Sequence, residues 1–127
     1  MAQRPAPDRV HQLAVRWVTL NERDREWGIV AEREFGRLSD DYLAQVIANR
    51  KRFSTYVEGL VKQGIAEGHF DPGLDLGLAT DQVFAVLKSS HLLRRPRGTT
   101  GVAELAEAYA RFIVRGLGDA DWNPGGN

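Results

Sequence analysis

The chain of 127 residues contains no cysteine, which excludes disulfides, thiolate metal sites and cysteine nucleophiles at once. An excess of either charge is also missing, because 17 lysines and arginines balance 17 aspartates and glutamates. Domains that grip nucleic-acid phosphates usually carry a basic surplus, so this balance argues against autonomous DNA binding. No apolar run approaches the ~20 residues needed to span a bilayer. The opening residues Met1-Ala2-Gln3-Arg4-Pro5-Ala6-Pro7 lack the apolar centre of a signal peptide. A cytoplasmic protein without membrane association is the expectation.

Catalytic patterns are scarce too. The histidines, His11, His69 and His91, fall on separate segments, with no Glu-x-x-His and no His-Glu-x-x-His spacing. None of Ser39, Ser54, Ser89 and Ser90 lies in a Gly-x-Ser-x-Gly elbow. His91 and Ser90 are sequence neighbours, and adjacent positions of a helix do not face each other. The reading is a non-enzyme without cofactor or metal.

What the chain does have is helical periodicity. Hydrophobic residues at 43% and charged residues at 27% describe one ordinary globular domain with a small core. Strand alternation and internal repeats are absent, so the expected fold is all-α, a bundle of about five main helices. Residues 1–7 read as a mobile lead-in, 8–118 as the helical domain and 119–127 as a Gly/Pro/Asn tail.

Asp8 is placed to cap a first helix whose Val10, Leu13, Ala14, Trp17 and Val18 recur on one face. A second helix over 26–38 carries Trp27, Val30, Ala31, Phe35 and Leu38. Ser39 then caps the longest, 40–67, with a seam of Tyr42, Val46, Phe53, Val57, Leu60, Val61 and Ile65. Gly59 and Gly64 interrupt that seam, as expected where another helix approaches closely. Gly68 is placed to take the left-handed conformation that ends the helix, and Pro72 prevents its resumption. Asp75 caps a fourth helix over 76–93 with Leu78, Ala79, Val83, Val86, Leu87 and Ser90 in line. Thr99 or Thr100 caps a fifth over 99–117.

The punctuation has a recognisable order: Glu32-Arg33-Glu34 with Leu38, Arg50 to Phe53, Gly64 to Phe70, Asp75, and Arg95-Pro96-Arg97-Gly98. Over residues 10–117 it resembles the C-terminal ligand-binding and dimerisation domain of TetR-type bacterial transcriptional regulators. One departure is Leu93, in the region where the closest subgroup commonly carries tryptophan, which reshapes any pocket wall there. Such regulators place a helix-turn-helix domain of about 50 residues ahead of this module. Only a short segment precedes Val10, so the chain is expected not to read an operator by itself. A piece of a longer protein, a shortened gene and a naturally headless sensor all stay open.

The resemblance implies a homodimer in which the last two helices of each subunit form a four-helix bundle. Val83, Val86 and Ser90 on one helix, with Leu105, Tyr109, Phe112, Ile113 and Gly116 on the next, are the expected interface. The alternative is that these stripes complete the core of a monomer. It also implies a small hydrophobic effector, with acyl-thioesters among the ligands of related sensors. Trp17, Trp27, Phe35, Phe53, Phe84 and Leu87, joined by Lys88 and His91, are the candidate pocket residues. Core aromatics are the competing reading for every one of them. The basic clusters Arg50-Lys51-Arg52 and Arg94-Arg95-Arg97 are either a grip for a phosphate-bearing ligand or solvated helix faces. A stand-alone helical module that binds a partner protein is the alternative to the sensor.

Overall fold

A computed structural model describes residues 4–27, 41–92 and 101–123. Among these the fold is all-α: α1 (Ala6–Trp27), α2 (Asp41–Ala48), α3 (Arg50–Ala66), α4 (Leu76–Leu92) and α5 (Val102–Gly116). The expected helix over 26–38 and the Arg94-Arg95-Arg97 cluster lie outside the described residues, apart from Glu26 and Trp27 at the end of α1.

The first helix starts earlier than its sequence predicts. Proline is tolerated in a first helical turn, where its missing N–H has no intrahelical partner to lose, and Pro7 occupies that turn. Ala6 is fully buried, so the last two residues of the expected lead-in belong to the helix. Its unpaired N–H donates to Glu67 Oε1 at 2.9 Å. Gln63 Nε2 donates to Glu67 Oε2 at 2.7 Å and to the Arg4 carbonyl at 2.8 Å, tying the start of α1 to the end of α3. Donation from the Ala6 N–H, and then from Gln63, holds the Glu67 carboxyl below its usual range.

The long expected helix is two. Asn49 adopts an extended backbone (φ −117°, ψ 115°) between α2 and α3, and its side-chain oxygen accepts from Arg52 N at 3.0 Å. This is ordinary N-capping by asparagine. Within α2, Val46 keeps its place in the buried seam while Tyr42 is 62% exposed. After Ala66 the chain turns through Gly68 at φ +83°. Gly68 N donates to Ile65 O at 3.0 Å and His69 N to Gly64 O at 2.8 Å, the paired bonds of a Schellman stop.

Asp75 caps α4 as expected, accepting from Leu78 N at 2.9 Å, although Leu78 itself points outward. Helix α5 begins at Val102 after Gly101, later than expected; Thr99 and Thr100 lie outside the described residues.

The core is centred on α1, whose most extensive packing is against α5. Val10, Leu13, Ala14, Trp17 and Val18 meet Ala106, Ala110, Ile113 and Val114 in one buried cluster, joined by Phe53, Val57, Leu60 and Val61 of α3. His11 Nε2 sits 2.6 Å from Glu107 Oε2 on the edge of the α1–α5 contact. Residues 119–123, expected to be a mobile tail, pack back on the bundle. Trp122 is buried 5.2 Å from the His11 ring, and Arg115 Nε donates to its carbonyl at 3.0 Å.

Candidate functional site

The helical spacing of Trp17 on α1, Phe53 on α3 and Phe84 on α4 brings all three rings together. Trp17 and Phe53 lie 5.3 Å apart, Trp17 and Phe84 5.7 Å, and Phe53 and Phe84 5.4 Å, all edge to face. This arrangement aligns positive ring edges with negative faces. Trp17 Nε1 donates to the Leu87 carbonyl at 3.1 Å, so the indole is polar-satisfied as well as buried. Leu87 is fully buried beneath the cluster, and Phe84 is half-buried at its outer edge.

Two cations close that outer edge. The Arg50 guanidinium lies 3.8 Å over the Phe84 ring and 3.7 Å from Asp81, while Lys88 Nζ stands 5.4 Å from the same ring. The role of Arg50 was not legible in sequence, where it is one of three consecutive cations. Trp17, Phe53, Phe84, Leu87 and Lys88 therefore form one constellation. Phe35 and the side chains of Trp27 and His91 lie outside the described residues.

The other candidate surface is on α4 and α5, and α5 has two apolar stripes rather than one. Ala106, Ala110, Ile113 and Val114 face α1 and are buried. Val102, Leu105, Tyr109, Phe112 and Gly116 recur at alternating steps of three and four, the spacing of a coiled-coil seam. This second stripe looks outward: Phe112 is 66% exposed and Val102 40%, Gly116 is exposed, and Leu105 and Tyr109 are half-buried. Beside it runs an apolar groove of about 250 Å³, lined by Val83, Val86, Phe112, Ile113 and Leu117 among others. Ser89 Oγ and the Tyr109 hydroxyl, 3.1 Å apart, join the two helices along the same side.

The expected interface residues therefore divide. Val86, Leu105, Tyr109, Phe112 and Gly116 present surface. Val83 and Ile113 are buried and form the groove floor. Ser90 corrects the expectation: it is buried, and its hydroxyl donates to Leu87 O at 2.7 Å, so it faces into the subunit. Its position one residue beyond Ser89 rotates it away from the outward side.

No curated protein and no solved structure gives a significant match to the chain. The family described as tetracyclin repressor-like, C-terminal domain, matches residues 3–117, and the chain belongs to that family.

Proposed function

We propose that the chain is the dimerisation and effector-sensing domain of a TetR-type transcriptional regulator, cytoplasmic and non-catalytic. The observation that carries this reading is the outward seam of α5. A coiled-coil stripe headed by a two-thirds exposed phenylalanine is costly in water. Burying such a side chain contributes roughly 1.5–3 kcal/mol. A second copy supplies the matching stripe, and a two-fold axis beside Phe112 sets Val86, Leu105, Tyr109, Phe112 and Gly116 against their symmetry mates. The exposed Gly116 lets the two backbones approach.

The effector in this reading is a small hydrophobic metabolite, an acyl-thioester or a molecule of like polarity, held at the Trp17–Phe53–Phe84 cluster with Lys88 at its rim. The sequence nominates Trp27, Phe35 and His91 for the same role. Signalling is a population shift: ligand among the first helices favours one spacing of the subunits. In regulators of this type a separate helix-turn-helix unit reads the operator and follows that spacing.

Native mass spectrometry of the protein as purified tests the reading. A dimer with an adduct of a few hundred daltons, lost on denaturation, is the expected result. A bare monomer contradicts it, and a complex with a different protein moves the seam to a heterologous partner.

A further inference from the structure

A second cavity lies on the flank of α3, sharing Leu60 with its core stripe. It is an open groove of about 660 Å³ between α1, α2 and α3, within the range of roughly 300–1,000 Å³ typical of small-molecule sites. Its lining is chemically one-sided. Arg9, Lys51 and Arg52 supply three cations, Asn49, Thr55 and Gln63 supply neutral polar groups, and no carboxylate lines it. Tyr42 and Tyr56 form an aromatic wall, their rings 6.1 Å apart at 64°.

At the α3 end of this wall the electrostatics work against the helix. Cations in the first turn of a helix oppose the positive end of its dipole. Helix α3 begins Arg50-Lys51-Arg52 with no acidic residue in that turn. Arg50 is neutralised by Asp81 outside the groove. Arg52 donates to the uncharged Gln45 Oε1 at 2.5 Å, and among the described residues neither it nor Lys51 has a carboxylate partner. Arg9 is aimed by a donor bond to Gln63 Oε1 at 2.5 Å, with its guanidinium 5.7 Å from the Tyr56 centroid. An anion in the groove would offset the charge concentrated at this helix end.

The floor is kept open by Gly59. A side chain there would meet nothing within 4 Å and would project into the groove. Glycine is a poor residue for an exposed helix interior, where alanine is better.

We propose that this groove binds an aromatic carboxylate: the ring lies against Tyr42 and Tyr56 over Gly59, and the carboxylate meets Lys51 and Arg52 at the N-terminus of α3. The site is separate from the Trp17–Phe53–Phe84 cluster and does not require a dimer. Arginine suits this role because its fork matches a carboxylate with two parallel bonds.

Calorimetric titration with 2-naphthoate and with its uncharged analogue 2-naphthamide tests the proposal. The wild-type chain should bind one naphthoate per subunit with Kd below about 1 mM, and naphthamide at least tenfold more weakly. Lys51→Gln with Arg52→Gln should weaken naphthoate about tenfold and leave naphthamide unchanged. Gly59→Leu, which has room for its side chain, should abolish binding of both while the thermal midpoint stays level or rises. Equal affinity for acid and amide, naphthoate binding that survives Gly59→Leu, or displacement by equimolar inorganic phosphate each overturns the proposal. Sedimentation of the same samples separates this outcome from the dimer, since loss of the groove leaves the oligomeric state unchanged.

Discussion

Alanine at the two glycines of α3 should move stability in opposite directions. Gly59 is exposed, and a methyl there meets nothing within 4 Å. Gly59→Ala therefore acts through backbone entropy alone and stabilises by up to about 1 kcal/mol. Gly64 is buried, and a methyl on it would overlap the ring of Phe70. That ring has little freedom to retreat. Phe70 N donates to Gly64 O at 3.1 Å, and the next residue, Asp71, donates to Leu117 O at 2.9 Å. Overpacking costs about 1–3 kcal/mol; an overlap this severe belongs to the upper part, about 2–3 kcal/mol, of which the gain in helix propensity returns about 1 kcal/mol. The net loss for Gly64→Ala is about 1–2 kcal/mol, a fall in Tm of roughly 3–10 °C for a chain of this size. Urea unfolding followed by far-UV circular dichroism, at one fixed protein concentration, measures both variants. Phe70→Leu should also cost less in the Gly64→Ala background than in the wild type, because the smaller side chain relieves the overlap. A Gly64→Ala protein as stable as wild type, or the same sign of change at both glycines, refutes the reasoning.

Two further predictions concern the start of α1 and the aromatic cluster. Glu67 has a folded-state pKa depressed by the Ala6 N–H and Gln63, so its contribution is present above the unfolded value near 4.5 and is lost as pH falls through the folded value. The stability difference between wild type and Glu67→Gln should therefore be full above the unfolded value near 4.5 and shrink as pH falls below it in urea titrations; a difference that is independent of pH contradicts the capping role. Trp17→Phe removes the donor to Leu87 O and part of the edge-to-face packing, and should destabilise by about 1–2 kcal/mol, read as a lower urea midpoint. An unchanged midpoint would show that the indole is not part of the core.

Features set by neighbours a few residues away were readable from the chain. Asp75 caps α4 through a side-chain bond three residues long, and Gly68 supplies the left-handed stop that only its own backbone conformation requires. The α1 stripe was legible for the same reason, since Val10 to Val18 repeat within one unbroken helix. Non-local partners hid the rest. Ala6 and Pro7 look like a lead-in until Glu67, 61 residues away, satisfies the first N–H of the helix. Asn49 fits a continuous helical pattern, so the break that it caps was not legible. On α5 the periodicity contains both stripes, and the choice of which one is buried depends on α1. Of the Tyr42–Tyr56 groove only the Arg50-Lys51-Arg52 run and Gly59 stood out in the pattern, because its walls come from three helices.

The outward seam of α5 is the centre of the functional account, and sedimentation velocity of the wild type beside Phe112→Glu tests it most directly. The wild type should sediment with the mass of two 14.2 kDa chains, and the variant as a folded monomer with an unchanged helical spectrum. The exposure of Phe112 makes that substitution compatible with the subunit fold. A monomeric wild type, or a dimer indifferent to a charge at Phe112, would contradict the account.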